Sequence, residues 1–150
     1  MRNAFLAIFW GGLMCGVFDI TQAFVAYGIQ FRVPPVRILQ SVASGVLGPR
    51  AFQGGAKSAA LGAVLHFVIA FGAATVYWVA SRWIPFMTTH AVISGLLYGE
   101  MVFWFMHLVV VPLSAASPGK FSMATIITGP VGHMFLVGLP IALATRKFGG

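Results

Sequence analysis

Four long apolar stretches dominate the hydrophobicity pattern of this 150-residue chain. They cover residues 4–31, 58–84, 90–113 and 123–145, separated by short segments that contain proline, glycine or basic residues. A helix needs about 20 apolar residues to cross the hydrocarbon core of a bilayer. The pattern predicts an all-α polytopic membrane protein, a single domain formed by a four-helix transmembrane bundle. The short connection at residues 85–89 makes the second and third spans antiparallel neighbours.

Residues 36–47 have a different pattern from the long stretches. Apolar side chains recur there at helical spacing, and the opposite face carries Arg37, Gln40, Ser41 and Ser44. This pattern predicts a short interfacial amphipathic helix after the first span. The alternative is an ordered loop packed across the ends of the spans.

The composition supports lipid as the main solvent of the chain. Hydrophobic residues make up 59% of it and charged residues only 7%, whereas about a quarter of the residues in globular domains are charged. A soluble domain of this size would leave roughly a third of its chain surface facing water. So few charges would not cover that surface, so we expect a multi-pass membrane protein.

The basic residues indicate lipid rather than nucleic acid as the partner. The formal charge is +7, but the nine Lys and Arg residues are scattered near the ends of apolar segments instead of forming one basic face. Anionic lipid headgroups are the simpler partner. The basic residues divide almost evenly between the two sides of the bundle, so the positive-inside rule gives no decision; our working prediction places both termini in the cytoplasm.

Arg2 followed by an apolar stretch is also the pattern of a cleavable signal peptide. The apolar character resumes after Asp19 and continues to Phe31, and the stretch has no convincing small-x-small cleavage site. We therefore interpret the stretch as an uncleaved span.

Small and polar residues indicate which faces of the spans meet. Gly12 with Gly16, and Gly95 with Gly99, form two G-x-x-x-G motifs that permit close helix contact. The first span also has a polar and small stripe that would be costly against lipid, and we expect it to face the interior. Its members are Asp19, Gln22, Ala23, Ala26 and Gln30. Prolines 130 and 140 should bend or locally open the fourth span.

Every span carries at least one ionisable side chain, and such groups inside a membrane are functional candidates by default. The candidates are Asp19, His66, Glu100, His107 and His133. Counting about 1.5 Å per residue from the side of the first and third loops predicts two layers. His66 and His107 would form the shallower layer, and Asp19, Glu100 and His133 the deeper one. The structural alternative is that these groups hydrogen-bond across helices and fix the packing.

Several functions fit this set of residues. Carboxylates and histidines at successive depths suit an ion or proton relay, or small-solute transport. His66 and His107 are candidate axial ligands of a haem, and the whole set has ligand types that suit a transition metal. No nucleophile motif supports an enzyme. A non-catalytic accessory, assembly or scaffold subunit, as a homo-oligomer or in a larger membrane complex, explains the small-residue seams equally well.

Several segments resemble small uncharacterised bacterial inner-membrane proteins of the YagU type. The resemblance implies a multi-span helical fold in the bacterial cytoplasmic membrane, and no activity that could be transferred to these positions. Glu100 and His107 lie outside its pattern. The segments that carry it are residues 36–45 with 47–48, 65–67, 80–82, 111–115, 132–133 and 137–143.

Overall fold

Six helices account for most of the residues that the computed structural model describes, which are residues 3–117 and 123–149. No strand occurs in these two ranges, which confirms the all-helical prediction. Residues 118–122 of the predicted third loop, with Lys120, lie outside the described residues, as does Arg2. The helices are α1 (Ala4–Phe31), α2 (Pro35–Leu47), α3 (Gly55–Ser81), α4 (Phe86–Thr89), α5 (Ala91–Leu113) and α6 (residues 123–149).

Four of these helices are long and apolar enough to cross a membrane, as the sequence pattern predicts. They are α1, α3, α5 and the part of α6 from Ile126 to Gly149. Many large apolar side chains on their outer faces are exposed, whereas the buried core consists mainly of small residues and a few aromatic ones. The bundle therefore presents an apolar exterior instead of a polar one.

The two ends of the bundle are distinguished by which connections meet there. Gly149 of α6 packs against Ala7 near the start of α1, which places both described termini at one end, called here the terminal end. The backbone N–H of Ala115, just after α5, donates to the carbonyl of Gly45 in α2 at 2.9 Å. Helix α2 and the start of the third loop therefore lie together at the opposite end of the bundle, called here the loop end.

Three helix bounds differ from the sequence pattern by three residues or more. α3 covers Gly55–Ser81, so it both begins and ends three residues before the predicted range of 58–84. The early start is fixed by the Gly55 carbonyl, which accepts hydrogen bonds from Gln40 Nε2 and Ser58 Oγ, each at 3.1 Å. α6 continues past residue 145 to Gly149, where Arg82 Nη1 donates to the Gly149 carbonyl at 3.0 Å. The start of α3 and the end of α6 are thus set by tertiary hydrogen bonds that the local pattern does not reveal. The early end of α3 fits the effect of Pro85, since the residue before a proline disfavours the helical conformation.

The segment after α1 is a helix, and it packs across the start of α3. Its buried face differs from the predicted one: Gln40 and Ser44, placed on the polar face, are buried, whereas Val46 and Leu47 are 63% and 41% exposed. Gln40 is buried because its amide makes the hydrogen bond to α3 described above. The predicted amphipathic helix is thus present, and it uses part of its polar face for packing.

Gly62 is the point of closest approach between α2 and α3. A Cβ atom at Gly62 would overlap the carbonyl oxygen of Leu39 and lie 2.7 Å from its carbonyl carbon, whereas a Cβ at Gly72 of the same helix would meet nothing within 4 Å. We expect Gly62→Ala to lower the free energy of unfolding by about 1–3 kcal/mol through overpacking. Gly72→Ala should be neutral or slightly stabilising because alanine favours helix. Thermal unfolding of both variants in mild detergent checks this, and equal melting temperatures would contradict the close approach.

The two G-x-x-x-G motifs form different contacts between helices. Gly12 and Gly16 of α1 lie under the rings of Phe71 and Phe67 of α3. Gly95 and Gly99 of α5 contact the backbone of α6. The small residues therefore hold α1 against α3 and α5 against α6, which brings the inward faces of α1, α5 and α6 around a common interior.

Candidate functional site

The polar stripe of α1 lines a cavity in the bundle interior, as the sequence predicts for its orientation. The cavity has a volume of about 140 Å³. α5 and α6 complete its wall, with Phe103 and His107 from α5 and Thr128, Gly129 and His133 from α6. The α1 residues that line it are Asp19, Gln22, Ala23, Ala26, Tyr27 and Gln30.

A second cavity, of about 240 Å³, shares three of these side chains and adds a third histidine. The shared residues are Asp19, His107 and His133, and the added one is His66 of α3. The rest of its wall is mostly apolar. Four of the five predicted ionisable residues therefore surround two cavities that have part of their walls in common.

The predicted two-layer arrangement is wrong for His66. Its Nε2 atom lies 2.8 Å from the carbonyl oxygen of Gly16, and Gly16 lies nearly one turn closer to the terminal end than Asp19. The carbonyl of Gly16 points along α1 toward Asp19, so His66 Nε2 lies close to the level of Asp19 and not in a shallower layer. The count from residue 58 placed His66 too shallow, because α3 begins three residues earlier, at Gly55.

Among the described residues, Asp19 and His133 form a pair of a carboxyl group and an imidazole at ion-pair distance. His133 Nε2 lies 3.7 Å from Asp19 Oδ1, with the two side chains 19% and 26% exposed. The other ring nitrogen, Nδ1, lies 3.0 Å from the carbonyl oxygen of Gly129. A carbonyl oxygen only accepts hydrogen bonds, so Nδ1 carries a proton. In a neutral imidazole, Nε2 then has none and faces the carboxyl group with a lone pair.

For Asp19 and His133 to attract each other, one proton must be present in addition to the one on His133 Nδ1. Either His133 is an imidazolium beside an Asp19 carboxylate, or a protonated Asp19 donates toward the bare Nε2. A neutral ring beside an ionised carboxylate would place two acceptors opposite each other. The pair can therefore hold one proton between its two acceptor atoms. The separation of 3.7 Å is an ion-pair distance that a small rearrangement would turn into a hydrogen bond.

The buried ring of Phe103 positions the two histidines of α5 and α6. Its centroid is 4.2 Å from the ring of His107 and 5.1 Å from the ring of His133. His107 Nδ1 lies 2.9 Å from the Phe103 carbonyl oxygen, so it is also the protonated nitrogen. In both histidines Nδ1 is thus bonded to its own helix, and Nε2 is directed away from it.

Both histidines also lie at irregular turns of their helices. His107 is within a π-helical segment, Met106–Val110, and His133 immediately precedes another, Met134–Gly138. Each segment ends two residues before a proline, Pro112 or Pro140. A proline ring favours such an opening because it lacks an N–H and clashes with the carbonyl four residues earlier. Pro130 has no such effect, since it lies within a regular α-helical part of α6, and a third π-helical segment, Thr145–Gly149, contains no proline. The sequence predicts an opening in the fourth span; the one in α5 is not predicted, although Pro112 was its signal. Such π-helical turns are frequent at functional sites.

The structure does not bring Glu100 together with the other four candidates. Glu100 is half-buried on α5 and lines neither cavity. Its helical position places it about 100° around from Gly99, which faces α6, and the neighbouring Leu97 and Met101 are 59% and 56% exposed. Among the described residues it makes no side-chain hydrogen bond or ion pair. The predicted group of Asp19, Glu100 and His133 is therefore reduced to Asp19 and His133.

The geometry does not add support for a metal site. Within residues 3–117 and 123–149, no three His, Cys, Asp or Glu side chains are close enough to hold one ion. His66 Nε2 is bonded to Gly16, so only Nδ1 of that ring could act as an axial haem ligand. The metal and haem hypotheses stay predictions.

Three cavity residues were not singled out by the sequence pattern. Tyr27 lies two turns from Asp19 on the same face of α1, and the periodicity of the polar stripe could have found it. Thr128 comes from the turn before Pro130, and Phe103 was noted only as lying between Glu100 and His107. Whether Thr128 and Phe103 line the cavity depends on how α5 and α6 pack against each other, and the helical period of each sequence segment does not determine that packing.

This chain matches no protein-family model, no curated protein and no solved structure. The resemblance to the YagU-type proteins is therefore a prediction, and the function has to be argued from the interior of the bundle.

Proposed function

We propose that this chain is an integral membrane protein that transports protons, or a small cation or solute coupled to them, through the interior of its four-helix bundle. The proton is bound between Asp19 and His133. The observation that carries the proposal is the orientation of His133, whose protonated Nδ1 is held by Gly129 while Nε2 faces the Asp19 carboxyl group at 3.7 Å. A carboxyl and imidazole pair at this depth is costly in lipid, and a proton pathway is a common reason to keep one.

The polar lining of the smaller cavity suggests that the proton exchanges with the loop end. From Asp19 the lining continues along α1 through Gln22 and Tyr27 to Gln30, a distance of about 16 Å along the helix axis. Gln30 is exposed close to the end of α1. Amide and hydroxyl groups at this spacing can hold a chain of water molecules.

The opposite direction, toward the terminal end, is closed by apolar groups. The walls of the larger cavity there include Cys15, Ala70 and Val137, which are buried. Transport therefore needs a second conformation in which the pair opens to the terminal end. The π-helical turns beside His107 and His133 are the segments whose hydrogen bonds are already altered, and we assign the movement to them.

Proton flux in reconstituted vesicles tests the proposal. We expect vesicles that contain the full chain to dissipate an imposed pH gradient faster than protein-free vesicles, as reported by an enclosed pH-sensitive dye. The rate should increase with the amount of protein inserted. A rate equal to that of protein-free vesicles, together with stable co-purification of a larger membrane protein, would contradict transport and favour the accessory-subunit alternative.

A further inference from the structure

A deep apolar groove runs along the outside of the bundle between α1 and α6. It has a volume of about 610 Å³. α1 contributes Trp10, Met14 and Phe18, which are spaced four residues apart on one face. The remaining residues belong to α6 and are Phe135, Leu139, Pro140, Leu143, Ala144, Lys147 and Phe148. Pro140 and Ala144 are small and buried, so they form the floor of the groove between larger side chains.

The length of the groove corresponds to one leaflet of a bilayer. The α1 wall extends over about 12 Å and the α6 wall, from Phe135 to Lys147, over about 18 Å. Half of a hydrocarbon core is about 15 Å thick. The inner end of the groove lies beside Phe18 and Phe135, next to the positions of Asp19 and His133, and its outer end lies at the terminal end of the bundle.

The outer end is basic, whereas the rest of the groove is apolar. Lys147 is exposed and lines the groove two residues before the packed end of α6 at Gly149. The acidic side chains of the chain are Asp19 and Glu100, and neither forms an ion pair with Lys147 in the described structure. An apolar slot of leaflet length with a cation at the headgroup level is complementary to an anionic amphiphile.

We propose that this groove is a binding site for one anionic phospholipid, whose phosphate contacts Lys147 and whose acyl chain lies over Pro140, Leu143 and Met14. The inference rests on the proposed membrane insertion of the helices, and it does not depend on the proton site. A second copy of the chain is a weaker fit, because an apolar helix seated in the groove would leave the Lys147 ammonium without an anion.

Native mass spectrometry of the full chain in mild neutral detergent tests the site, with phosphatidylglycerol and phosphatidylcholine of identical acyl chains as probes. We expect phosphatidylglycerol to be retained more strongly by the wild type. Lys147→Gln should weaken its binding about fivefold, which corresponds to about 1 kcal/mol for one basic residue near the headgroup. The matched control is Arg146→Gln, because Arg146 is exposed at the same end but does not line the groove. The Arg146→Gln variant should keep most of the preference for phosphatidylglycerol over phosphatidylcholine.

A groove-filling variant tests the acyl-chain part of the site. Leu143 is exposed, so Leu143→Trp should narrow the groove without unfolding the bundle, and it should reduce phosphatidylglycerol retention while leaving the melting temperature unchanged. Equal retention of the two lipids by the wild type, or equal losses in the Lys147 and Arg146 variants, would overturn the proposal. A dimer that Leu143→Trp abolishes would also overturn it and would identify the groove as an interface between copies. Proton flux measured on the same variants separates a failure of this site from a failure of the proposed transport.

Discussion

Exchanging Asp19 for asparagine should reduce the proton flux into reconstituted vesicles by at least about tenfold, because a side-chain amide does not gain or lose a proton in this pH range. The side chain keeps its size, and its NH₂ group can still donate toward the bare Nε2 of His133. The 3.7 Å contact between the two residues can therefore persist as a polar contact while the capacity to bind the exchangeable proton is lost. His133→Gln removes the other half of the pair and should have the same effect on flux.

Glu100 provides a matched control for this experiment. It is the chain's other acidic side chain, it also lies within a long apolar helix, and Glu100→Gln makes the same chemical change. Because Glu100 lines neither cavity, we expect the proton flux of the Glu100→Gln variant to remain at the wild-type level. Loss of flux in the Glu100 variant and normal flux in the Asp19 variant would refute the assigned site and restore the wider relay that the sequence suggests.

Thermal unfolding of the same variants distinguishes transport from a purely structural role. Polar contacts between transmembrane helices contribute on average about 0.6 kcal/mol and at most about 1.7 kcal/mol. The Asp19 variant should therefore remain folded and insert normally. If the flux instead decreased in proportion to the folded fraction, the pair would be a packing contact and the structural interpretation of these residues would be preferred.

The sequence was sufficient to predict the helices, because their formation depends on local composition. Four apolar stretches, each bounded by proline, glycine or basic residues, correspond to α1, α3, α5 and α6 of the structure. The start and the end of α3 each lie three residues before the predicted bound, and α6 ends four residues after it. The start of α3 and the end of α6 are set by hydrogen bonds to distant residues, Gln40 and Arg82, which a local pattern does not contain.

The candidate site was predictable only in part. The stripe on α1 could be assigned to the interior, because polar and small residues recur there at helical spacing. Whether Glu100 or Phe103 of α5 faces that stripe depends on the rotation of α5, which Gly95 and Gly99 fix by contact with α6. A single sequence shows that those glycines favour close packing, but it does not show which helix they contact. Glu100 was grouped with Asp19 for that reason.

Replacing Gly99 should strongly destabilise the fold. A Cβ atom at Gly99 would overlap the carbonyl oxygen of His133 and lie 2.6 Å from its carbonyl carbon and 2.8 Å from Met134 Cα. These are backbone atoms, so no side chain can turn away to make room. We expect Gly99→Ala to lower the free energy of unfolding by about 3 kcal/mol, at the upper end of overpacking effects, and Gly99→Leu to prevent folding.

The same contact connects the packing of α5 and α6 to the proposed site. Gly138 of α6 faces the Gly95 carbonyl and lies close to Gly99, so the two helices touch along their backbones on both sides of the π-helical turn that follows His133. Any protein that folds with alanine at position 99 must move the His133 backbone away from α5, and its flux should decrease more than its stability explains. Gly28→Ala is the control, because the nearest atom to a Cβ there is 4.0 Å away. Equal melting temperatures for the two variants would show that α5 and α6 are not in backbone contact, and the wall of the cavity would then have to be assigned differently.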